Sequence, residues 1–217
     1  MGSILDEIVA HKREEVAAAR AAEPQERIEA RAAETPRPRN FFKAVTRKGP
    51  TVNVIAEIKR ASPSAGLIRE DFDPVELARA YHGAGAAAIS CLTDERYFRG
   101  SLDYLARIKR AVPLPVLRKD FIIDRYQVYE ARAAGADAIL LIAECLNESE
   151  LVDLLILATQ LQLTVLLEVH DVDQLLKVRP HVGFPHAGYC LLGINNRDLK
   201  TMTTDLQHTL RVIGMVE

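Results

Sequence analysis

Tryptophan is absent from this 217-residue chain, and six tyrosines and six phenylalanines are all the aromatic rings it has. So thin an aromatic content offers no platform on which exposed bases could stack. No sign of charge prevails either. With 28 basic and 30 acidic residues, interspersed, and a formal charge of −2, no one-signed face points to nucleic acid. Cysteines number three. Cys91, Cys145 and Cys190 are widely spaced in apolar surroundings, which reads as reduced core thiols and not as bridges or a zinc site. No apolar run approaches membrane-spanning length. Asp6, Glu7, His11, Lys12 and Arg13 break up the N-terminus, so it is no signal peptide, and a cytoplasmic location is the expectation. No Gly-x-Gly-x-x-Gly follows the first apolar run, which weakens a dinucleotide-binding reading.

What is present suffices for one large core. Apolar residues make up 48% of the chain, and residues 1–217 read as a single soluble α/β domain. Residues 1–50 form a helical extension and 51–217 a series of strand–helix units. Ser3 with Asp6 signals the start of a helix running to about Pro24. A proline-bearing stretch, Thr35 to Asn40, then leads through Phe41-Phe42 to a strand, Val52 to Ile58. Asp73-Pro74, an N-cap followed by proline at the first helical position, opens a helix to Gly83. Strands follow at Ala87 to Leu92, Pro115 to Phe121, Asp137 to Ile142, Thr164 to Val169 and Cys190 to Ile194. The helices between them start at Ser101, at Asp124 with Gln127, at Asn147 with Glu150, and at Asp171 with Gln174; a last one begins at Asp205. Gly85-Ala86-Ala87-Ala88-Ile89 and Gly135-Ala136-Asp137-Ala138-Ile139 echo one another, each closing a helix on glycine and entering a strand directly. Strands apolar throughout need cover on both faces, and six strand–helix units in series favour a (β/α)8 TIM-barrel type fold over an open doubly wound sheet.

Charges gather where these strands end. Lys119 sits inside Val116-Leu117-Arg118-Lys119-Asp120-Phe121-Ile122, and Glu168 occupies the matching place in Val165-Leu166-Leu167-Glu168-Val169. Glu57 and Lys59 are two residues apart, hence on one face of a strand. Two lysines and two carboxylates aimed at one place are the raw material of acid–base chemistry. Taken alone, Glu57 with Lys59 reads equally well as a structural ion pair at a barrel mouth, and Phe98 and Phe121 read more readily as core packing. Asp94, Glu95, Arg99 and Asp120 read as loop residues in contact with solvent, Arg197 with Asp198 as a structural pair, and Glu144 is open.

Five stretches in order carry a family resemblance: Ile55 to Ser64, Leu92 to Ser101, Leu117 to Ile122, Leu166 to Val169, and Leu192-Gly193-Ile194-Asn195-Asn196-Arg197-Asp198-Leu199. The chain resembles indole-3-glycerol phosphate synthase of tryptophan biosynthesis from its N-terminal helix to its last residue. The resemblance implies a barrel with an extra N-terminal helical segment over the active-site end. It also implies conversion of 1-(2-carboxyphenylamino)-1-deoxyribulose 5-phosphate to indole-3-glycerol phosphate, with release of carbon dioxide and water and with neither cofactor nor metal. Lys119 matches the acid that protonates the ketone oxygen, and Glu168 the base of the later dehydration. Lys59 matches the lysine that binds the substrate carboxylate and, as the alternative, acts as an acid in one step, and Glu57 matches a carboxylate that pairs with both lysines. Asn195 matches a residue supporting the reacting groups. Ser62 resembles a hydroxyl holding the anionic substrate, Phe98 and Phe121 the apolar walls around its ring, and Arg197 a residue that binds or braces there. His170 has no role in the pattern.

Two departures go with it. Gly183 to Gly188 reads as a small insertion before the sixth strand, at the barrel end away from the site. The family's seventh and eighth strands, which supply much of its phosphate site, have no counterpart up to Glu217. Impaired phosphate binding, exposed strand edges and low stability alone are therefore expected. The alternatives are a non-catalytic assembly partner whose open edges pair with another copy, or another phosphosugar enzyme such as phosphoribosylanthranilate isomerase. The isomerase works with a cysteine and aspartate, so the Glu57, Lys59, Lys119 and Glu168 set argues against it. The partner implied is a small phosphosugar, with a homodimer or association with other tryptophan-pathway enzymes as further possibilities.

Overall fold

The computed structural model describes residues 3–49, 52–198 and 203–214. Helix α1 (Ile4–Ala22) opens on a reciprocal capping box between Ser3 and Asp6 and stops ahead of Pro24, whose ring cannot continue a helix. Two further helices follow, α2 (Gln25–Glu34) and α3 (Phe41–Thr46). They correct the reading of a single leading helix. α2 starts at Pro24 with no side-chain cap, so it carries no local start signal. Phe41-Phe42 does not lead into a strand; Asn40 caps α3 by accepting from the Lys43 amide at 2.7 Å.

The strands are β1 (Ile55–Ile58), a two-stranded antiparallel β2 (Ala61–Ser62) with β3 (Gly66–Leu67), then β4 (Ala88–Leu92), β5 (Val116–Lys119), β6 (Ala138–Ile142), β7 (Thr164–Val169) and β8 (Cys190–Ile194). Between them lie α4 (Pro74–Gly83), α5 (Glu95–Phe98), α6 (Asp103–Ala111), α7 (Arg125–Ala133), α8 (Glu148–Gln160) and α9 (Val172–Val178), with α10 (His208–Ile213) last. The six long strands run parallel in the order β1-β4-β5-β6-β7-β8. They form a curled half-barrel, a TIM-barrel type sheet in which β1 and β8 are the edges among the described residues. The first strand is three residues shorter than Val52 to Ile58. The final helix begins at His208, because Asp205 instead holds a turn by accepting from the Gln207 amide at 2.9 Å. Leu199, part of the last sequence motif, lies outside the described residues. Gly85 and Gly135 both have φ of 87°, the left-handed helix stop that glycine adopts without strain.

Strict alternation along each strand builds two layers. Outward residues such as Ile89, Cys91, Val116, Ile139, Leu141, Val165 and Leu167 join the main core beneath the helices. Inward residues fill the barrel from its N-terminal end: Ala88, Leu117 and Ala138 pack around Phe41 of α3, which is fully buried. The small Ala88 and Ala138 leave room for that ring. One layer higher, Leu140 and Ile142 pack with Phe121 and with Leu5 and Ile8 of α1. The extension therefore closes both ends of the half-barrel, α3 below and α1 above.

Candidate active site

The same alternation sends Glu57, Lys59, Lys119, Glu168 and Asn195 inward at the C-terminal strand ends. Lys119 Nζ donates to Glu168 Oε1 at 2.5 Å, and Asn195 Nδ2 donates to Glu168 Oε2 at 3.3 Å. Lys59 Nζ donates to Glu57 Oε1 at 2.5 Å at the exposed rim. Of the two lysines, Glu57 thus takes Lys59, while Glu168 takes Lys119. In the β7–β8 register Glu168 faces Gly193. A Cβ at Gly193 would stand 3.1 Å from Glu168 Cγ and 3.2 Å from Leu166 Cδ1, so that glycine makes the space in which the carboxylate lies.

These groups line a cavity of about 300 Å³ whose apolar wall includes Leu92, Phe98, Phe121, Leu140 and Ile142. The Phe98 and Phe121 rings are 6.1 Å apart between centroids and inclined at 38°. Arg197 also lines it, held by bonds from its guanidinium to Ser64 Oγ at 2.7 Å and Thr204 Oγ1 at 3.2 Å. Its amide donates to Asn195 Oδ1 at 3.0 Å, which orients that amide side chain. Ser62 lies outside the cavity wall. It is 6% exposed and its hydroxyl accepts from the Ala65 amide at 3.2 Å, so within this turn it is Ser64 that reaches the site's arginine.

Asp94 and Asp120 correct the sequence reading: they are buried, 1% and 3% exposed, and only Glu95 and Arg99 of that set face solvent. The solvent reading failed because their partner lies about a hundred positions upstream. Lys12 of α1, itself 4% exposed, donates to Asp94 Oδ2 at 2.8 Å and stands 3.0 Å from Asp120 Oδ1. Burial works against its charge, yet Asp120 and Asp94 hold its ammonium above the usual lysine range. Asp120 Oδ2 accepts from Thr93 Oγ1 at 2.6 Å and Arg118 Nη2 at 3.0 Å. Burial alone would raise the Asp120 carboxyl, but Arg118 and Lys12 hold it down at about 2. Sequence contained a signal for Lys12: it interrupts the buried stripe Leu5, Ile8, Val16 of α1 at helical spacing.

Glu144 is a backbone anchor. Its Oε1 accepts from the His170 amide at 3.1 Å, and burial raises its carboxyl. His170 Nδ1 pairs with the Asn195 carbonyl at 2.8 Å, and its ring stacks on His208 at 4.5 Å. The three cysteines are free, and burial pushes Cys91 and Cys145 up to about 12, so neither is poised to act as a thiolate. Among the described residues no helix is long and apolar enough to cross a membrane.

Parallel strands curled into a half-barrel, with lysine–carboxylate pairs around an apolar-walled cavity at their C-terminal ends, define an acid–base enzyme of the (β/α)-barrel class. Residues 5–217 match the family model of indole-3-glycerol phosphate synthase. The chain is 52% identical over 220 residues to the indole-3-glycerol phosphate synthase of Neisseria gonorrhoeae (strain NCCP11945), covering 100% of this chain and 82% of that one. To the enzyme of the same description from Rhodopirellula baltica it is 48% identical over 210 residues, covering 97% of this chain and 78% of the relative. Among solved structures, methylornithine synthase superposes with a TM-score of 0.50 at 14% identity, covering 99% of this chain and 75% of that chain, a likeness of fold alone. The chain belongs to the indole-3-glycerol phosphate synthase family, carboxy-lyases of tryptophan biosynthesis that act on a small phosphosugar substrate.

Proposed function

We propose that the cavity closes the indole ring of 1-(2-carboxyphenylamino)-1-deoxyribulose 5-phosphate with Lys119 as the acid and Glu168 as the base. The observation that carries this reading is the 2.5 Å Lys119–Glu168 contact beside the Phe98 and Phe121 rings. The aromatic carbon bearing the carboxylate attacks the ketone carbon, and the ammonium of Lys119 delivers a proton to the oxygen as the new carbon–carbon bond forms. Carbon dioxide then leaves and returns its electron pair to the ring system. In the dehydration that completes the indole, Glu168 removes a proton from the carbon adjacent to the new hydroxyl while a lysine ammonium of the site protonates that hydroxyl, which leaves as water. Lys59, oriented by Glu57, offers its charge to the substrate carboxylate until carbon dioxide departs. Asn195 steadies Glu168. Arg197, held by Ser64, acts toward the anionic end of the substrate while the buried Ser62 shapes that turn, and the two phenylalanines flank the anthranilate ring and exclude water.

Indole fluorescence after addition of this substrate tests the reading. The chain has no tryptophan, so every indole signal belongs to product. Signal that grows with the parent and is lost in Lys119→Ala is the expected result. A folded parent that remains silent even at substrate concentrations high enough to offset weakened phosphate binding would overturn the assignment.

A further inference from the structure

We infer that Lys12 is a positioning residue, whose bridge between Asp94 and Asp120 sets the gap between the Phe98 and Phe121 rings and the seat of Lys119. The inference rests on the cavity being the reaction site. Each carboxylate that Lys12 holds is built into one wall. Asp94 caps α5 by accepting from the Tyr97 amide at 2.7 Å, and its carbonyl accepts from the Gly100 amide at 2.8 Å. Phe98 is the last residue of that single helical turn, too short to hold its place by its own hydrogen bonds. Asp120 directly follows Lys119, and its Oδ1 accepts from the Phe121 amide at 2.9 Å. One ammonium therefore fastens the residue that caps the Phe98 turn to the residue that lies between Lys119 and Phe121.

The rest of the cluster keeps this clasp rigid. Glu15 Oε2 lies 2.5 Å from Lys12 Nζ and supplies a third acceptor from α1 itself. Arg118, on the opposite face of β5 from Lys119, spans Asp120 and Glu130 Oε2 of α7, the latter at 2.8 Å. Gly100 leaves no slack on the α5 side: a Cβ there would sit 2.5 Å from the Leu92 carbonyl oxygen. A buried, multiply bonded ion network has one low-energy geometry, and here that geometry fixes both rings of the cavity wall. Helix α1 thus locks the cavity wall from above as well as covering it.

The test compares Lys12→Met and Lys12→Arg with the parent chain, by substrate turnover and by amide hydrogen exchange. In Lys12→Met the amides of Tyr97, Gly100 and Phe121 should exchange faster while those of β6 keep their protection. Its kcat, per folded molecule, should fall about tenfold or more, as misplacement of reacting groups does. Lys12→Arg, which keeps the charge and can reach two carboxylates, should recover most of both. If Lys12→Met does not fold, Lys12→Gln carries the same expectation, since its shorter neutral amide cannot bridge both acids. Unchanged exchange at the three amides with parent kcat would overturn the inference, as would a lowered unfolding midpoint with kcat intact. A parent that is silent toward substrate even at such concentrations removes the synthase reading instead, and the exchange comparison then decides alone whether Lys12 holds the two walls.

Discussion

Lys119 and Glu168 meet across an intervening strand: β5 and β7 are separated by β6, yet Nζ and Oε1 are 2.5 Å apart. The curl of the sheet brings them together, since both point inward and Leu140 and Ile142 line the cavity beside them. Lys119→Ala removes the proton donor, and Glu168→Gln removes the acceptor while keeping its shape. Each should lower kcat by roughly 10²- to 10⁴-fold, with a smaller change in KM. The double variant should be scarcely worse than either single one, because the two act as a unit. Steady-state indole fluorescence checks this, and a single variant retaining more than about a tenth of parent kcat would remove its residue from the chemistry.

Phe98 is partly exposed in the cavity wall whereas Phe121 is 7% exposed and joins the cluster under α1. The two truncations should therefore separate. Phe98→Ala loses about 1 kcal/mol of ring contact with substrate, raising KM roughly fivefold with little change in the unfolding midpoint. Phe121→Ala empties a packed site and should cost about 3–5 kcal/mol of stability as well. Parallel midpoint shifts in the two variants would contradict this division.

The strand ends were legible in sequence because a lysine or glutamate closing an apolar run is locally conspicuous, and Lys119, Glu168, Lys59 and Glu57 stood out by that contrast alone. The caps at Ser3, Asp73, Asp124 and Asn147 were legible because they act within four residues. What escaped depends on residues far apart in the chain. Asp94 and Asp120 look like loop acids until Lys12 arrives from α1, and α2, which has no side-chain cap, is held by packing against α7, while α3 adds to its Asn40 cap the burial of Phe41 in the barrel floor. Gly193 matters only through the strand beside it. Gly193→Ala makes that dependence measurable: the added methyl presses on Glu168 Cγ and Leu166 Cδ1, whose side chains can yield. It should lower kcat several-fold, about 1 kcal/mol of transition-state stabilisation, and a kcat equal to the parent's would show that Glu168 tolerates the displacement.

Asp120 predicts a specific acid sensitivity. Its ordinary value of 3.8 falls to about 2 in the fold, against burial, through Arg118 and Lys12. A carboxyl depressed in this way stabilises the folded state above its unfolded value, and that stabilisation is lost as pH falls through the folded one. About 1 kcal/mol should be gone by about pH 3. In Asp120→Asn, less stable throughout, that particular slope between about pH 4 and pH 2 should be missing. Urea unfolding at a series of pH values gives the slope directly, and equal slopes in the two proteins would refute the assignment.

At the other end of the half-barrel, Asp137 offers the contrast to Lys12. It is fully buried at the start of β6 and accepts from the Arg39 amide at 2.6 Å, Lys109 Nζ at 2.5 Å and the Val116 amide at 2.8 Å. The Arg39 guanidinium meanwhile bonds the carbonyls of Lys109, Val112 and Leu114 at 2.7–2.8 Å, tying the extension to the end of α6. Burial lowers the Lys109 ammonium, and Asp137 opposes that fall. Asp137→Ala leaves a buried cation and two amides without their acceptor, which should cost about 3–5 kcal/mol and lower the midpoint by roughly 10 °C. None of these groups reaches the cavity, so kcat per folded molecule should match the parent at a temperature where the variant is folded. Thermal unfolding and turnover on the same preparation make the comparison. A drop in kcat as steep as that of Lys12→Met would mean that the floor of the barrel, and not α1 alone, sets the geometry of its mouth.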